Sequence, residues 1–148
     1  MKKIRILSFV VALLMLSACV VGCTKVEKVT VNAVVTVVVN GENLLGPVDV
    51  AVESTADEPV TVLMAATTAF DNNEIAYAAD EYSLSSIGDY ADKVDGDYTY
   101  FWEYTINGEK VETGRAGTNT IEEGAQIVFT YVMESTEDLA KADEEGDE

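Results

Sequence analysis

Val29-Thr30-Val31-Asn32-Ala33-Val34-Val35-Thr36-Val37-Val38-Val39 is the stretch that decides the fold class. Val29, Val31, Ala33, Val35, Val37 and Val39 fall on one side of an extended chain, while Thr30, Asn32 and Thr36 fall on the other. A period of two, carried by β-branched residues, predicts a strand with one face buried. Asn40-Gly41 then opens a turn region and Gly46-Pro47 closes it. Val48, Val50 and Val52 alternate with Asp49, Ala51 and Glu53 beyond that point. The two alternating runs predict a hairpin joined by a long loop.

Further along the chain the period changes once. Residues 61–70 place Val62, Ala66, Ala69 and Phe70 on one side at helical spacing. Thr61 supplies an oxygen for an early unpaired N–H, and Asp71-Asn72-Asn73 stops the run with turn formers. Strands are then expected over residues 75–79 and 82–87, followed by an acidic loop over residues 88–97. Residues 98–106 form the strongest later strand, with Tyr98, Tyr100, Trp102, Tyr104 and Ile106 on one face. Asn107-Gly108 is the signature of a tight hairpin of the mirror-image type, and residues 109–113 return from it. Glu123-Gly124 marks another turn, and Ile127, Phe129, Tyr131 and Met133 make the inward face of the last strand. Two strands, one helix and several more strands give an α+β class, a mostly antiparallel sheet packed on one helix.

Toward the N-terminus the sequence reads as an export signal. Lys2, Lys3 and Arg5 precede an apolar run over residues 6–16. That run is shorter than the roughly 20 residues a spanning helix needs. Leu16-Ser17-Ala18-Cys19 and Val20-Val21-Gly22-Cys23 both resemble the lipobox of bacterial lipoproteins. The resemblance implies that Cys19 or Cys23 takes a lipid and becomes the first residue of the mature chain. Leu16 favours Cys19, and the polar Thr24-Lys25 start favours Cys23. Either choice predicts a lipid-anchored protein on the outer side of the cell membrane, or in the periplasm. The organisation expected is a signal and lipobox over residues 1–23, a tether over 24–28, one domain over 29–133 and a disordered acidic tail over 134–148. About 110 residues suit a single core. With both cysteines in the lipobox region, no intramolecular disulfide is expected to staple the domain.

Charge and composition exclude several functions. Loss of Lys2, Lys3 and Arg5 with the signal takes the net charge from −18 to −21. Such a surface repels phosphate backbones, so no nucleic-acid partner is expected, and it repels anionic lipid, which leaves attachment to the anchor. The sequence contains no histidine, which removes the commonest acid–base near neutral pH, the Ser-His and Cys-His nucleophile pairs, and histidine metal sites. A non-catalytic protein is expected. Asp89, Asp92, Asp95 and Asp97 cluster around Gly96, but Val94 breaks the alternate acid spacing of an EF-hand loop. A solvated acidic loop is the reading, with no metal site and no cofactor. Arg115, the single arginine after the signal, either meets an anionic ligand or pairs with a nearby acid.

Three pieces of the chain together resemble a known family: Thr61-Val62-Leu63; Tyr82-Ser83-Leu84-Ser85-Ser86-Ile87-Gly88; and Phe101-Trp102-Glu103-Tyr104-Thr105-Ile106-Asn107-Gly108, followed by Gly114, Glu123-Gly124 and Ile127-Val128-Phe129. In that order they resemble the transcobalamin-like C-terminal domain family of bacterial surface domains, over residues 29–133. The resemblance implies a β-grasp-like fold and binding of a soluble ligand, with a corrinoid or another planar small molecule as the precedent. In the vitamin B12 carriers the ligand lies between this domain and a larger helical one, and here no histidine is present to meet cobalt. Trp102 reads either as a flat platform flanked by Tyr100 and Tyr104 or as a core tryptophan on an amphipathic strand. Asn107 serves its turn and is the further candidate for a ligand contact. The function expected is a cell-surface lipoprotein that binds a soluble ligand without chemistry. The alternative is a structural or adhesive module meeting protein or cell-wall partners.

Overall fold

The computed structural model describes residues 27–111 and 114–139. Strands β1 (Lys28–Val39) and β2 (Glu42–Thr55) form an antiparallel hairpin. Helix α1 (Val62–Asn72) follows, then β3 (Tyr77–Ala79), β4 (Leu84–Ile87), β5 (Tyr90–Ala91), β6 (Lys93–Asp95), β7 (Tyr98–Ile106), β8 (Glu109–Lys110) and β9 (Ala125–Ser135). The main sheet has the order β2-β1-β9-β7-β6, with β8 paired to β7; β3, β4 and β5 make a second small sheet. Every pairing is antiparallel except that of β1 with β9. The described residues are mostly strand, in mixed and antiparallel sheets, with short helices. Cys19 and Cys23 lie outside the described residues, as do the end of the acidic segment and residues 112–113. No helix among the described residues is long and apolar enough to cross a membrane.

Alternation in β1 has the expected result over its second half: Ala33, Val35, Val37 and Val39 are buried. Val29, at the start of the same face, is exposed because the strand outruns its cover. The loop expected over residues 40–47 is not a loop. Asn40 and Gly41 make a two-residue turn with φ of 52° and 81°, the left-handed geometry of a tight hairpin, and β2 begins at Glu42. Two register shifts let β2 carry two more residues than β1. Gly46 and Pro47 lie at one of them, on a strand at the sheet edge where proline's missing N–H leaves no ladder bond broken.

α1 lies where its capping residue puts it: Thr61 Oγ1 accepts from the Met64 N–H at 3.3 Å. Thr67 and Thr68 bond back to the carbonyls of Leu63 and Met64, so their hydroxyls are satisfied within the helix. The buried stripe is Val62, Ala65, Ala66, Ala69 and Phe70. Its alanines let the helix sit close on Val35, Val37, Val50 and Val52, and Phe70 reaches across to Phe129 at 6.3 Å between ring centres. No polar or charged side chain is buried among the described residues. The core is therefore held by apolar packing.

Two further expectations are corrected. The acidic stretch 88–97 contains β5 and β6 rather than one loop. At the other end β9 continues to Ser135 and residues 136–139 form a helical turn, so the first residues of the acidic segment belong to the folded part.

Candidate functional site: an aromatic cleft

One face of β7 and β9 carries all of their aromatic residues except Phe101. Facing pairs in the ladder are Tyr100 with Met133, Trp102 with Tyr131, Tyr104 with Phe129 and Ile106 with Ile127. At the Ile127–Phe129 end, α1 and its loop cover this face. At the Tyr131–Met133 end the small sheet approaches through β5. Between them lies an open cleft of about 460 Å³ lined by Asn40, Asp89, Tyr90, Lys93, Tyr100 and Tyr131, among others. Its size falls in the range of small-molecule sites.

Tyr131 is the centre of the cleft. Its ring lies 4.9 Å from Trp102, 5.5 Å from Tyr90 and 6.0 Å from Tyr100, the last stacked at an interplanar angle of 26°. Its hydroxyl donates to the Ala91 carbonyl, tying β9 to β5. Partial burial raises the Tyr131 phenol pKa, and the nearby Asp92 carboxylate and Tyr100 add to this. The Asp92 carboxyl is itself pushed up by desolvation, against a backbone hydrogen bond from Trp102 that lowers it. Lys93 stands directly across the ladder from Tyr100, with Nζ 4.6 Å from the ring centre.

The four candidate side chains from the sequence do not share one site. Tyr100 lines the larger cleft. Trp102 is half-buried beneath β5, where its Nε1 donates to the Tyr90 carbonyl at 3.1 Å. It supports Tyr131 from below rather than lying open. Trp102 and Tyr104 line a smaller recess of about 180 Å³, with Leu84, Arg115 and Phe129. The Tyr104 hydroxyl accepts from Asn119 Nδ2 at 2.6 Å. Asn107 lies in its turn, with φ of 54°, and exchanges hydrogen bonds with the backbone of Gln126. It lines neither cavity. Tyr90 and Lys93 carry no signal in the sequence, because they sit in a stretch with the pattern of an acidic loop. Tyr131 belongs to the inward face of its strand by alternation, which carries no sign that its surroundings differ from those of Phe129.

The second recess is bordered by the loop after residue 113. Arg115 lies over the Tyr82 ring at 5.9 Å, and its charge contributes to lowering the Asp80 pKa. The larger causes there are hydrogen bonds from the backbone N–H groups of Tyr82 and Ser83. Ala116 and Asn119 carbonyls accept from the Leu63 and Val62 N–H groups, so this loop satisfies the start of α1. Gly117 is required at its closest approach: a Cβ there would lie 2.3 Å from the Glu81 carbonyl oxygen and 2.8 Å from the Tyr82 Cα. Among the described residues no group of three or more histidine, cysteine, aspartate or glutamate side chains is placed to hold a metal ion.

Residues 60–133, half of the sequence, match the family described as a domain of unknown function, DUF4430. The chain belongs to the DUF4430 family. The family match begins just before α1 and ends within β9, so it takes in the cleft's aromatic residues and leaves out the β1–β2 hairpin. A search of curated proteins gives no significant match. Among solved structures, haptocorrin in complex with Cbi is similar over 70% of this DUF4430 chain, with a TM-score of 0.53 and 15% identity. At that identity the likeness is one of fold. The chain spans about a quarter of the haptocorrin chain (25%). A protein from Ruminococcus gnavus ATCC 29149, described as a candidate metal binding protein, aligns over 69% of this chain and 96% of its own. Its TM-score of 0.42 and identity of 15% are too low to bear on the fold or the site.

Proposed function

We propose that this is a non-catalytic ligand-binding domain, carried outside the cell on a lipid anchor, that holds a ring-bearing small molecule against Tyr131 and Tyr100. The observation that carries the reading is the cleft of about 460 Å³ in which tyrosine rings from β5, β7 and β9 converge. Aromatic walls with a few polar groups suit a flat ligand, each ring pair adding about 1 kcal/mol beyond burial. The strand order around α1, with β1 and β9 parallel, supports a β-grasp-like, transcobalamin-like reading. The haptocorrin likeness keeps a corrinoid among the planar ligands to be tried. Because the cleft is open, one side of such a ligand stays in water, and the expected affinity is micromolar or weaker unless a partner closes over it.

Trp102 is the only tryptophan in the sequence and touches Tyr131, so its fluorescence reports on the cleft. Titration with cyanocobalamin, corrected for absorption by the ligand, is expected to give saturable quenching that Tyr131→Ala and Tyr100→Ala each weaken at least about fivefold. Saturable binding unchanged in both variants places the ligand elsewhere. Absence of saturation, both with cyanocobalamin and with smaller ring compounds at millimolar concentration, defeats the ligand-binding reading. The anchor is tested separately. Fatty-acid labelling and membrane association should be lost when Cys19→Ser and Cys23→Ser are combined, and a wild-type protein that takes no label is not a lipoprotein.

A second reading rests on the free edge at β6. Val94 is 69% exposed and Tyr98 47% exposed, an apolar margin that suits a structural or adhesive module with a protein or cell-wall partner. Substituting both by Lys should abolish such a partnership and leave small-molecule titrations unchanged.

A further inference from the structure

The cleft already holds a cation, and it is the protein's own. Lys93 Nζ sits over the Tyr100 ring, 4.6 Å from its centre, a distance suited to cation–π attraction. Its other partner is Asp95 at 3.8 Å, a pair whose side chains are 54% and 71% exposed. A pair this open is screened by solvent and holds the lysine only loosely. Around that position the chemistry favours positive charge. Asp89 lines the cleft, and Asp92 lies close enough to act on the Tyr131 phenol. Among the described residues Lys93 is the single basic one in the lining, in a chain of net charge −18. The electron-rich faces of Tyr90, Tyr100 and Tyr131 meet within about 6 Å of one another through Tyr131. An anion would meet the field of the whole chain; an ammonium group would meet aromatic faces, carboxylates and a loosely held lysine that can leave.

We propose that the cleft selects an organic cation, a ring compound bearing an ammonium group, and that Lys93 is an internal occupant which this ligand displaces from the face of Tyr100. The inference rests on the cleft being a ligand site and names the class of ligand it takes. Lys93 then acts as a competitor: it screens the aromatic faces when the cleft is empty and sets a threshold that weakly held cations do not pass. A neutral ring compound gains the stacking but not the charge term, so it binds more weakly without being refused.

Three probes of similar size separate the contributions: phenyltrimethylammonium, neutral 2-phenyl-2-propanol and anionic benzenesulfonate, each titrated against the full chain while Trp102 fluorescence and tyrosine ring NMR signals are followed. The cation is expected to bind about fivefold more tightly than the alcohol, with the sulfonate weakest, and the preference should shrink as salt is raised. Lys93→Met should tighten the cation at least about threefold and leave the alcohol nearly unchanged, because the competing charge is gone. Tyr100→Leu should shrink the difference between cation and alcohol, leaving the part due to the carboxylates and to Tyr90 and Tyr131. Equal binding of cation and alcohol overturns the charge selection while leaving a ligand site in place. Cation binding unchanged or weakened in Lys93→Met, together with loss of stability, overturns displacement and makes the Lys93–Tyr100 contact a structural strap on β6. Failure of all three probes, and of cyanocobalamin, defeats both this inference and the ligand-binding reading.

Discussion

Ile127 and Phe129 share a strand face with Tyr131 and Met133, yet the two halves of that face have opposite fates. The first pair is sealed, 0% and 1% exposed, with Phe129 packed against Phe70 of α1. Met133, four residues beyond Phe129, is 55% exposed. The strand is the same and the alternation is unbroken, so the difference lies in the cover. α1 is eleven residues long, about 16 Å at the usual helical rise, and it packs on β1 and β2 rather than along β9. Among the described residues, what remains beyond it is bridged by the two residues of β5, whose carbonyls accept from Trp102 and Tyr131. Side-chain periodicity therefore specifies which face is apolar, and the length and placement of the opposing layer decide whether that face becomes core or cleft.

The strongest way to break this comparison is to place the same charge in each half. Val35 is fully buried opposite Ile127. Val35→Asp leaves a carboxylate without a partner in an apolar core, and should cost roughly 4 kcal/mol or more, enough to unfold a domain of this size. Met133→Asp puts the charge on the uncovered half and should cost within about 1 kcal/mol. Urea unfolding followed by circular dichroism compares them. Similar losses in the two variants would mean that the open half is sealed in solution and that the cleft does not exist there.

The parts of the fold legible in the sequence are those where a long run answers to one neighbour. β1 alternates against α1, α1 has a clear cap and an apolar stripe, and β7 alternates from Tyr98 to Ile106. β2 was half hidden, because Gly46-Pro47 signals a turn in isolation and a bulge only when an edge strand is already present. β5 and β6 were hidden altogether. Two- and three-residue strands among Asp89, Asp92 and Asp95 owe their form to pairing with β4 and β7, not to their own side chains. The candidate site was legible to the same degree. Tyr100 was found because its strand is long; Tyr90 and Lys93 were missed because theirs are short. The tyrosine on which they converge was grouped with Phe129 by a pattern that carries no information about cover.

The seam between the two halves offers a second and smaller test. The loop from residue 114 to 119 fixes the start of α1 on one side and touches the turn before β4 on the other, with Gly117 N–H donating to the Tyr82 carbonyl at 2.8 Å. Gly117→Ala forces a methyl group against the backbone of Glu81 and Tyr82, where no flexible side chain can give way. A loss of about 1–3 kcal/mol is expected, as for other overpacked sites. Hydrogen exchange should show where it falls: faster at Val62 and Leu63, whose N–H groups this loop satisfies, and little changed in the β1–β2 hairpin. Uniform acceleration across the sheet would mean that the seam and the core open together, and that the two halves are one cooperative unit.

The smallest expected effect is also the one that separates the halves by chemistry rather than by packing. Glu123 accepts hydrogen bonds from the Asn32 backbone N–H at 2.8 Å and from Asn32 Nδ2 at 2.9 Å, and these hold its pKa below the ordinary range. The carboxylate thus favours the folded state while it is charged. Its contribution is complete above the unfolded pKa of about 4 and is lost as pH falls through the lower folded value. Asp92 behaves in the opposite sense. Desolvation beside the cleft raises its pKa, so its charge disfavours the fold, and protonation on acidification relieves that cost. Glu123→Gln should therefore lower the urea midpoint at pH 7, with the deficit shrinking once the wild-type carboxylate is protonated. Asp92→Asn should raise the midpoint slightly at pH 7, with the advantage disappearing at lower pH, since Asn can still accept from the Trp102 backbone. Unfolding series from pH 7 to about pH 3 would show the two differences converging on zero from opposite sides. Differences that stay constant with pH would assign both effects to side-chain shape and leave the clamp at Asn32 and the cleft electrostatically equivalent.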